Sequence, residues 1–262
     1  MSKLRWLAEH REDGVLNGRI GRAGDDLVAE WTGVARLEVR VDGTKVRFSP
    51  DPSADPVDVE KVRRGSARAL LRHLDGALAL HGSAVAVGGR AVGLFGDADA
   101  GKSTLAASLC LGATGGVLLA DDTIALEMSE ERFEVLSLEE NHWLDAGSRA
   151  ALGLGTDGDQ KHPVRARCAV GNEPLVLLAH LVFAPVDAPR ITVLSGVEAI
   201  AAVLPRVLRF IIDEPERQRK ELETLAELVR LVPIVRLERP RRYDQLETTA
   251  TMIAALSHPR SP

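Results

Sequence analysis

The chain carries only two cysteines, Cys110 and Cys168, in 262 residues. That is too few for a disulfide framework or a thiolate metal site, and no Cys/His spacing of the zinc type occurs. Cys110 falls in an apolar helical pattern and reads as a small core residue. Positive charge is not in excess either. The formal net charge of -5 argues against nucleic acid or an anionic membrane as the main partner. The longest apolar run, Leu175 to Val186, is interrupted by His180 and Pro185 and is too short to span a bilayer. Met1 to Asp13 is charged and lacks the apolar centre of a secretory signal, so the expected location is the cytoplasm. There is no G-x-S-x-G nucleophile elbow and no internal repeat.

What is present is an ordinary globular balance, with 45% hydrophobic and 27% charged residues. That is enough apolar material for one large domain, or for a domain with an appendage. The most informative stretch runs from Val92 to Leu109. Gly96, Asp97, Ala98, Asp99, Ala100, Gly101, Lys102 and Ser103 spell the phosphate-loop pattern G-x-x-x-x-G-K-[ST], with Thr104 following. Its context agrees: Ala91 to Phe95 is short, apolar and β-compatible, whereas Ser103 to Leu111 is rich in Ala and Leu, as a helix requires. Such a loop turns successive backbone N–H groups toward one point at the positive end of a helix. Lys102 can then reach the β- and γ-phosphates of a nucleoside triphosphate, and the Ser103 hydroxyl can ligate Mg²⁺. Asp97 and Asp99 are awkward in an anion-binding loop, so their carboxylates are expected to point outward or to meet a cation.

The rest of the chain predicts α/β architecture. Leu16 to Phe48 reads as short strands, with Leu27–Trp31 and Ala35–Val41 extended and a hairpin turn at Asp42-Gly43. Ser49 to Pro56 reads as a linker, so residues 1–56 are expected to form a β-rich N-terminal portion and 57–262 the main domain. Val57 to Leu80 has helical spacing, Ala84–Val87 and Ala91–Leu94 form a hairpin across Gly88-Gly89, and Val117–Ala120 is a buried strand. Gly147 to Pro163 reads as a loop, and Ser195 as a helix start with Glu198 completing a capping box. Glu214–Arg230 and Tyr243–Leu256 are predicted helices, and Leu175–Phe183, Arg190–Leu194 and Pro233–Leu237 predicted strands.

Asp121 and Asp122 end the strand that follows the phosphate-loop helix, where ligands of open α/β sheets gather. An acidic pair there can hold Mg²⁺, or one member can accept a proton from an attacking hydroxyl. His81, at the junction of the long helix and a strand, can be structural, can orient an aspartate, or can set positive charge beside a phosphoryl group. His142-Trp143 and Lys161-His162 lie in or near predicted loops and read as surface, with Lys161 the candidate second cation for phosphates. The arginines from Arg236 to Arg242 read as a solvated edge, with one of them able to approach the nucleotide.

Taken together, Leu80-His81-Gly82-Ser83-Ala84-Val85, the loop Gly96 to Ser103, and Leu118-Leu119-Ala120-Asp121-Asp122-Thr123 resemble the catalytic domain of the HPr serine kinase/phosphorylase family. Pro233 to Pro240 is similar to the end of such proteins, and the resemblance spans about residues 65 to 256. It implies a P-loop fold akin to phosphoenolpyruvate carboxykinase and ATP-dependent phosphorylation of a serine hydroxyl. It also implies Asp121 as catalytic acid/base, Asp122 as its partner near the metal with Ser103, and His81 beside them. Lys102 and Ser103 match the phosphate and Mg²⁺ ligands. Thr104 stands where the family commonly has a glutamate, and its Glu-Ile-Arg-Gly-Leu-Gly signature has no counterpart. The N-terminal portion is shorter than the family's regulatory domain. The chain in this respect resembles divergent relatives that phosphorylate a serine of a lasso-peptide precursor.

The expectation is a Mg·ATP-dependent kinase acting on a serine of a peptide or small protein, with no nucleic-acid or membrane partner and with homo-oligomerisation left open. Asp121, His81 and Lys102 would be catalytic, Gly96 to Thr104 would bind nucleotide, and Ser103 and Asp122 would hold the metal. Two competitors are a small-molecule kinase acting on free serine or a sugar alcohol, and a nucleotide-responsive binding module without catalysis.

Overall fold

Apolar and polar residues alternate through the N-terminal stretch, and the result is an antiparallel meander of five strands: β1 (Arg5–Glu12), β2 (Val15–Ala23), β3 (Asp26–Trp31), β4 (Ala35–Arg40) and β5 (Val46–Pro50). The computed structural model describes residues 3–12, 14–40, 42–155, 161–210 and 212–257. Leu27 and Ala29 pair with Val39 and Leu37 across β3 and β4, so all four point to one face. That face is covered by Ala67 and Leu70 of the second of two helices, α1 (Pro56–Arg64) and α2 (Ser66–Leu74).

The single helix expected from Val57 to Leu80 is therefore two. Gly65 leaves the helical region, with φ -86° and ψ -99°, and breaks the run. Asp55 caps α1 by accepting the Val57 N–H at 2.8 Å. The residues from Leu78 onward are strand, because their apolar side chains enter a sheet core on both faces. Truncating Leu70, which is fully buried, to alanine should lower the stability of this unit by about 2–5 kcal/mol. A urea titration of the Leu70→Ala variant would read that as an earlier unfolding midpoint.

The chain divides into two units, Met1–Ala77 with Arg209–Glu221 and Leu78–Leu208 with Leu222–Pro262. The second is mixed α/β. Its sheet starts from the hairpin β6 (Leu78–Val87) and β7 (Arg90–Gly96), which pair antiparallel across Gly88-Gly89 as the sequence predicts. Helix α3 (Lys102–Leu111) follows, then β8 (Val117–Ala120), β9 (Thr123–Ser129), β10 (Arg132–Val135) and β11 (Asn141–Leu144). The stretch expected to be loop from Gly147 to Pro163 includes most of a short helix, α4 (Ala146–Ala151), and the start of β12 (His162–Arg165), which pairs with β11; 156–160 fall outside the described residues.

β13 (Glu173–Phe183) runs parallel to β7 and to β15 (Ile234–Arg239), while β14 (Arg190–Leu194) closes that edge antiparallel to β15. Helices α5 (Gly196–Val203), α6 (Pro215–Leu231) and α7 (Leu246–Ser257) complete the element order. Ser195 does precede α5 as its N-cap, but its side chain makes no capping bond. Alternation along the sheet separates two cores. Ala84, Phe95, Leu178 and Ile234 pack with Ala199, Val203 and Leu228, whereas Val85, Leu94, Ala179 and Leu237 pack with Leu105 of α3 and Ile253 of α7. No helix among the described residues is long and apolar enough to cross a membrane.

Candidate active site

Two features of the sheet bring the predicted residues together. The first is the turn from β7 into α3. Asp97, Ala98 and Asp99 are exposed, Ala100 is buried, and Gly101 takes the left-handed conformation (φ 76°, ψ 33°) directly before the helix. Asp99 is left-handed as well, at φ 56°. The first turn of α3 has no side-chain cap and no acidic residue, so no carboxylate of its own competes for its N–H groups.

Lys102 is nearly buried, and its Nζ donates to the Asp97 carbonyl at 2.8 Å and the Gly96 carbonyl at 3.3 Å. Burial lowers its pKa, and the nearby Asp122 works in the opposite direction. Lys161 is exposed, yet its positive charge also acts on Lys102. The hydroxyl of Thr104 is turned away from the loop, into a 2.7 Å hydrogen bond with Ser148 of α4.

The second feature is a kink between β8 and β9. Both strands pair antiparallel with β6, β8 through Ala84↔Ala120 and β9 through His81↔Thr123. Between them, Asp122 adopts φ 74°, a left-handed conformation that Asp tolerates better than most residues. The Gly82 N–H still donates to the Asp122 carbonyl at 3.1 Å.

The kink gives the two carboxylates opposite environments. Asp121 is fully buried; its Oδ1 accepts from Ser83 Oγ at 2.5 Å, Ser103 Oγ at 2.7 Å and its neighbour's N–H at 3.1 Å. Its Oδ2 accepts the Trp143 N–H at 2.8 Å. Asp122 is exposed at about half of its side chain and stands 3.7 Å from His81 Nδ1. The family resemblance implies Asp122 as the partner of Ser103 at the metal; here the hydroxyl of Ser103 donates to Asp121.

His81 is partly buried, and burial holds its pKa below the ordinary value of 6.5 despite Asp122. At neutral pH it is therefore an uncharged ring beside a carboxylate, which favours orienting Asp122 over supplying positive charge. Among the described residues no group of three or more His, Cys, Asp or Glu is arranged to hold a metal. A divalent ion carried by a triphosphate needs fewer protein ligands, and the Ser103–Asp121 pair at an uncapped helix start fits one.

Several residues here were not expected from sequence. Arg239, in the run read as a solvated edge from which one arginine could approach the nucleotide, is buried and donates through Nη2 to the Ala100 carbonyl at 2.7 Å. Its guanidinium lies over the Phe183 ring at 4.6 Å, and burial pulls its pKa down to about 10. The signal was available: Val235, Leu237 and Arg239 are two apart and share the buried side of β15. His142 and Trp143, predicted to be surface, are buried on β11. Both ring nitrogens of His142 lack a hydrogen-bond partner among the described residues, and burial keeps its pKa low. Arg206 reaches the loop from a 3₁₀ turn (Leu204–Arg206) and pairs with Asp97.

No protein-family model and no curated protein matches the chain. Among solved structures it is similar to the Hpr(Ser) kinase/phosphatase from Coxiella burnetii, with 16% sequence identity and a TM-score of 0.35 over 68% of this chain and 92% of that one. What the site can do rests on its own geometry.

Proposed function

We propose that the chain is a Mg·ATP-dependent kinase that transfers the γ-phosphoryl group to a serine hydroxyl of a peptide or small protein. The observation that carries this reading is the bond from Ser103, the residue after the loop lysine, to the buried carboxylate of Asp121, with the exposed Asp122 and the partly buried His81 beside it. The sequence resemblance to kinases of lasso-peptide precursors makes such a precursor the first acceptor to try.

In this reading Lys102 and the loop N–H groups hold the phosphates. Ser103 would ligate Mg²⁺ through its hydroxyl oxygen, with Asp121 behind it accepting that hydroxyl's hydrogen bond, and the ion would supply charge neutralisation on the β- and γ-phosphates. Asp121 already accepts four donors and is sealed from solvent, so it is poorly placed to meet an incoming hydroxyl. Asp122 is open to solvent and steadied by His81, which favours it as the proton acceptor. This exchanges the roles that the resemblance implies for the two aspartates. The acceptor oxygen forms its bond to phosphorus as the bond to the β–γ bridging oxygen breaks, ADP leaves, and the hydroxyl proton passes to Asp122.

Radiolabelled ATP supplied with candidate acceptors tests the reading. Label on a peptide serine supports it, label on free serine or a sugar alcohol changes the acceptor class, and no transfer despite Mg·ATP binding leaves a nucleotide-responsive binding module. The two aspartates separate by kinetics. Asp122→Asn should lower turnover by about 10²–10⁴-fold, the range for loss of a positioned base, with its Mg²⁺ requirement unchanged. Asp121→Asn should raise the Mg²⁺ concentration needed for half-activity and lower the melting temperature. Swapped phenotypes would return the base role to Asp121.

A further inference from the structure

A phosphoryl group transferred at the glycine loop is stabilised by fixed positive charge beyond the loop lysine. Lys102 lies in the loop itself, and burial disfavours the charged form of His81. Arg206 is the side chain suited to supply that charge. After the 3₁₀ turn Leu204–Arg206, Val207 bridges antiparallel to Leu80, and the Leu208 N–H donates to the Ala79 carbonyl at 2.8 Å. These bonds fix the backbone of Arg206 next to the end of β6 that carries His81. Its guanidinium then reaches the loop and donates through Nη2 to the exposed Asp97 carboxylate. Its Nε is buried and has no hydrogen-bond partner among the described residues. The charge of Arg206 also acts on Lys102, His81 and His180, lowering the pKa of each in addition to the effect of burial. One arginine thus pairs with the first carboxylate of the loop, and its charge reaches the loop lysine and the histidine beside Asp122.

We propose that Arg206 is a further catalytic residue, the cation that binds the terminal phosphoryl group at the glycine loop, and that Asp97 is the carboxylate it exchanges for that group. The proposal rests on the kinase reading above. A guanidinium offers a planar fork suited to phosphoryl oxygens, and an arginine on the transferring group stabilises its developing charge. Asp97, 80% exposed in its side chain, can release its partner into water at small cost, because exposed ion pairs contribute little stability. The pair would keep the arginine oriented toward the loop before nucleotide arrives, and the more highly charged phosphate would then displace the carboxylate.

The test needs no knowledge of the acceptor. Mg·ADP binding is measured by calorimetry with and without aluminium fluoride, whose complex with ADP imitates the phosphoryl group in transfer. Arg206→Ala should lose about 10²–10³-fold of the fluoride-dependent gain in affinity, the scale for one preorganised donor, and only about threefold of plain Mg·ADP affinity. Arg206→Lys should recover part of the gain. Asp97→Asn should act in the opposite direction, tightening the fluoride complex, because it frees the arginine and removes a like charge from the phosphates.

If the pair were only a tether for the loop, Arg206→Ala and Asp97→Asn would break the same contact and weaken binding alike, and that result overturns the proposal. An unchanged fluoride gain in Arg206→Ala overturns it as well, while leaving the kinase reading intact. Failure of the wild-type chain to bind Mg·ADP at all would instead remove the kinase reading, and this inference with it.

Discussion

Lys102→Met is expected to lower phosphoryl transfer by about 10²–10³-fold or more while leaving the fold in place. The lysine stem is nearly buried, and methionine preserves that apolar contact. What disappears is an ammonium already directed at the loop, within 2.8 Å of the Asp97 carbonyl and 3.3 Å of the Gly96 carbonyl. Burial has partly desolvated that charge, as its lowered pKa records, so it interacts with an incoming phosphate more strongly than a surface lysine would. Single-turnover transfer from radiolabelled ATP and a thermal melt, run on the same preparation, separate the two effects. Turnover within about threefold of wild type would remove Lys102 from the phosphate site, because loss of one preorganised donor should cost far more. A collapse in melting temperature would show a structural role instead.

The second large effect is expected at Gly101. Its φ of 76° disfavours any residue with a Cβ, at a cost of about 1–2 kcal/mol. A Cβ there would also run into the Arg239 guanidinium, whose bond to the Ala100 carbonyl would have to give way. Loss of a hydrogen bond to a buried charge adds about 1.5–3 kcal/mol. Gly101→Ala should therefore be destabilised by about 3 kcal/mol or more, a fall in Tm of roughly 6–12 °C, and should lose most of its nucleotide affinity. Gly115 is the control. It has a similar φ of 62°, yet nothing among the described residues lies within 4 Å of a Cβ built on it. Gly115→Ala should show the conformational cost alone, about 1 kcal/mol. Equal losses in the two variants would mean that Arg239 does not brace the loop.

The parts of the fold that were legible in the sequence are those in which local chemistry and tertiary environment agree. Gly88-Gly89 between two apolar runs gives a hairpin in either context, and Val117–Ala120 has too short an apolar run for anything but a strand. The glycine spacing likewise places the start of α3 to within one residue, Ser103 expected and Lys102 observed, since glycine readily takes the left-handed conformation that precedes it. Legibility failed where the two diverge. Leu74 and Leu78 sit at helical spacing, but Leu78 is the first residue of β6, because a central strand with both faces covered accepts any apolar run. At Ser195 the capping-box letters are present and the side-chain bond is not, since the next residue, Gly196, takes φ 51°.

Site chemistry followed the same division. Residue type and spacing identify Lys102, Ser103 and the aspartate pair as a group. Which carboxylate faces Ser103 depends on one left-handed residue, and no periodicity encodes that. Arg239 and Arg206 were hidden for a different reason: arginine is almost always solvated, and only the pairing partners of β15 and of the Val207 bridge bring these two inward.

The kink at Asp121-Asp122 has one more consequence. Strands on both sides of it are fastened to the same neighbour, at Ala84↔Ala120 and at His81↔Thr123. An extra residue in this seam, or one fewer, would turn one flanking strand upside down and pull core side chains such as Leu119 or Ile124 out of the cluster they fill. The seam therefore tolerates exchange of side chains but not a change of length. Evolution of this molecule can retune the acids by substitution, while insertions and deletions must fall elsewhere along the chain.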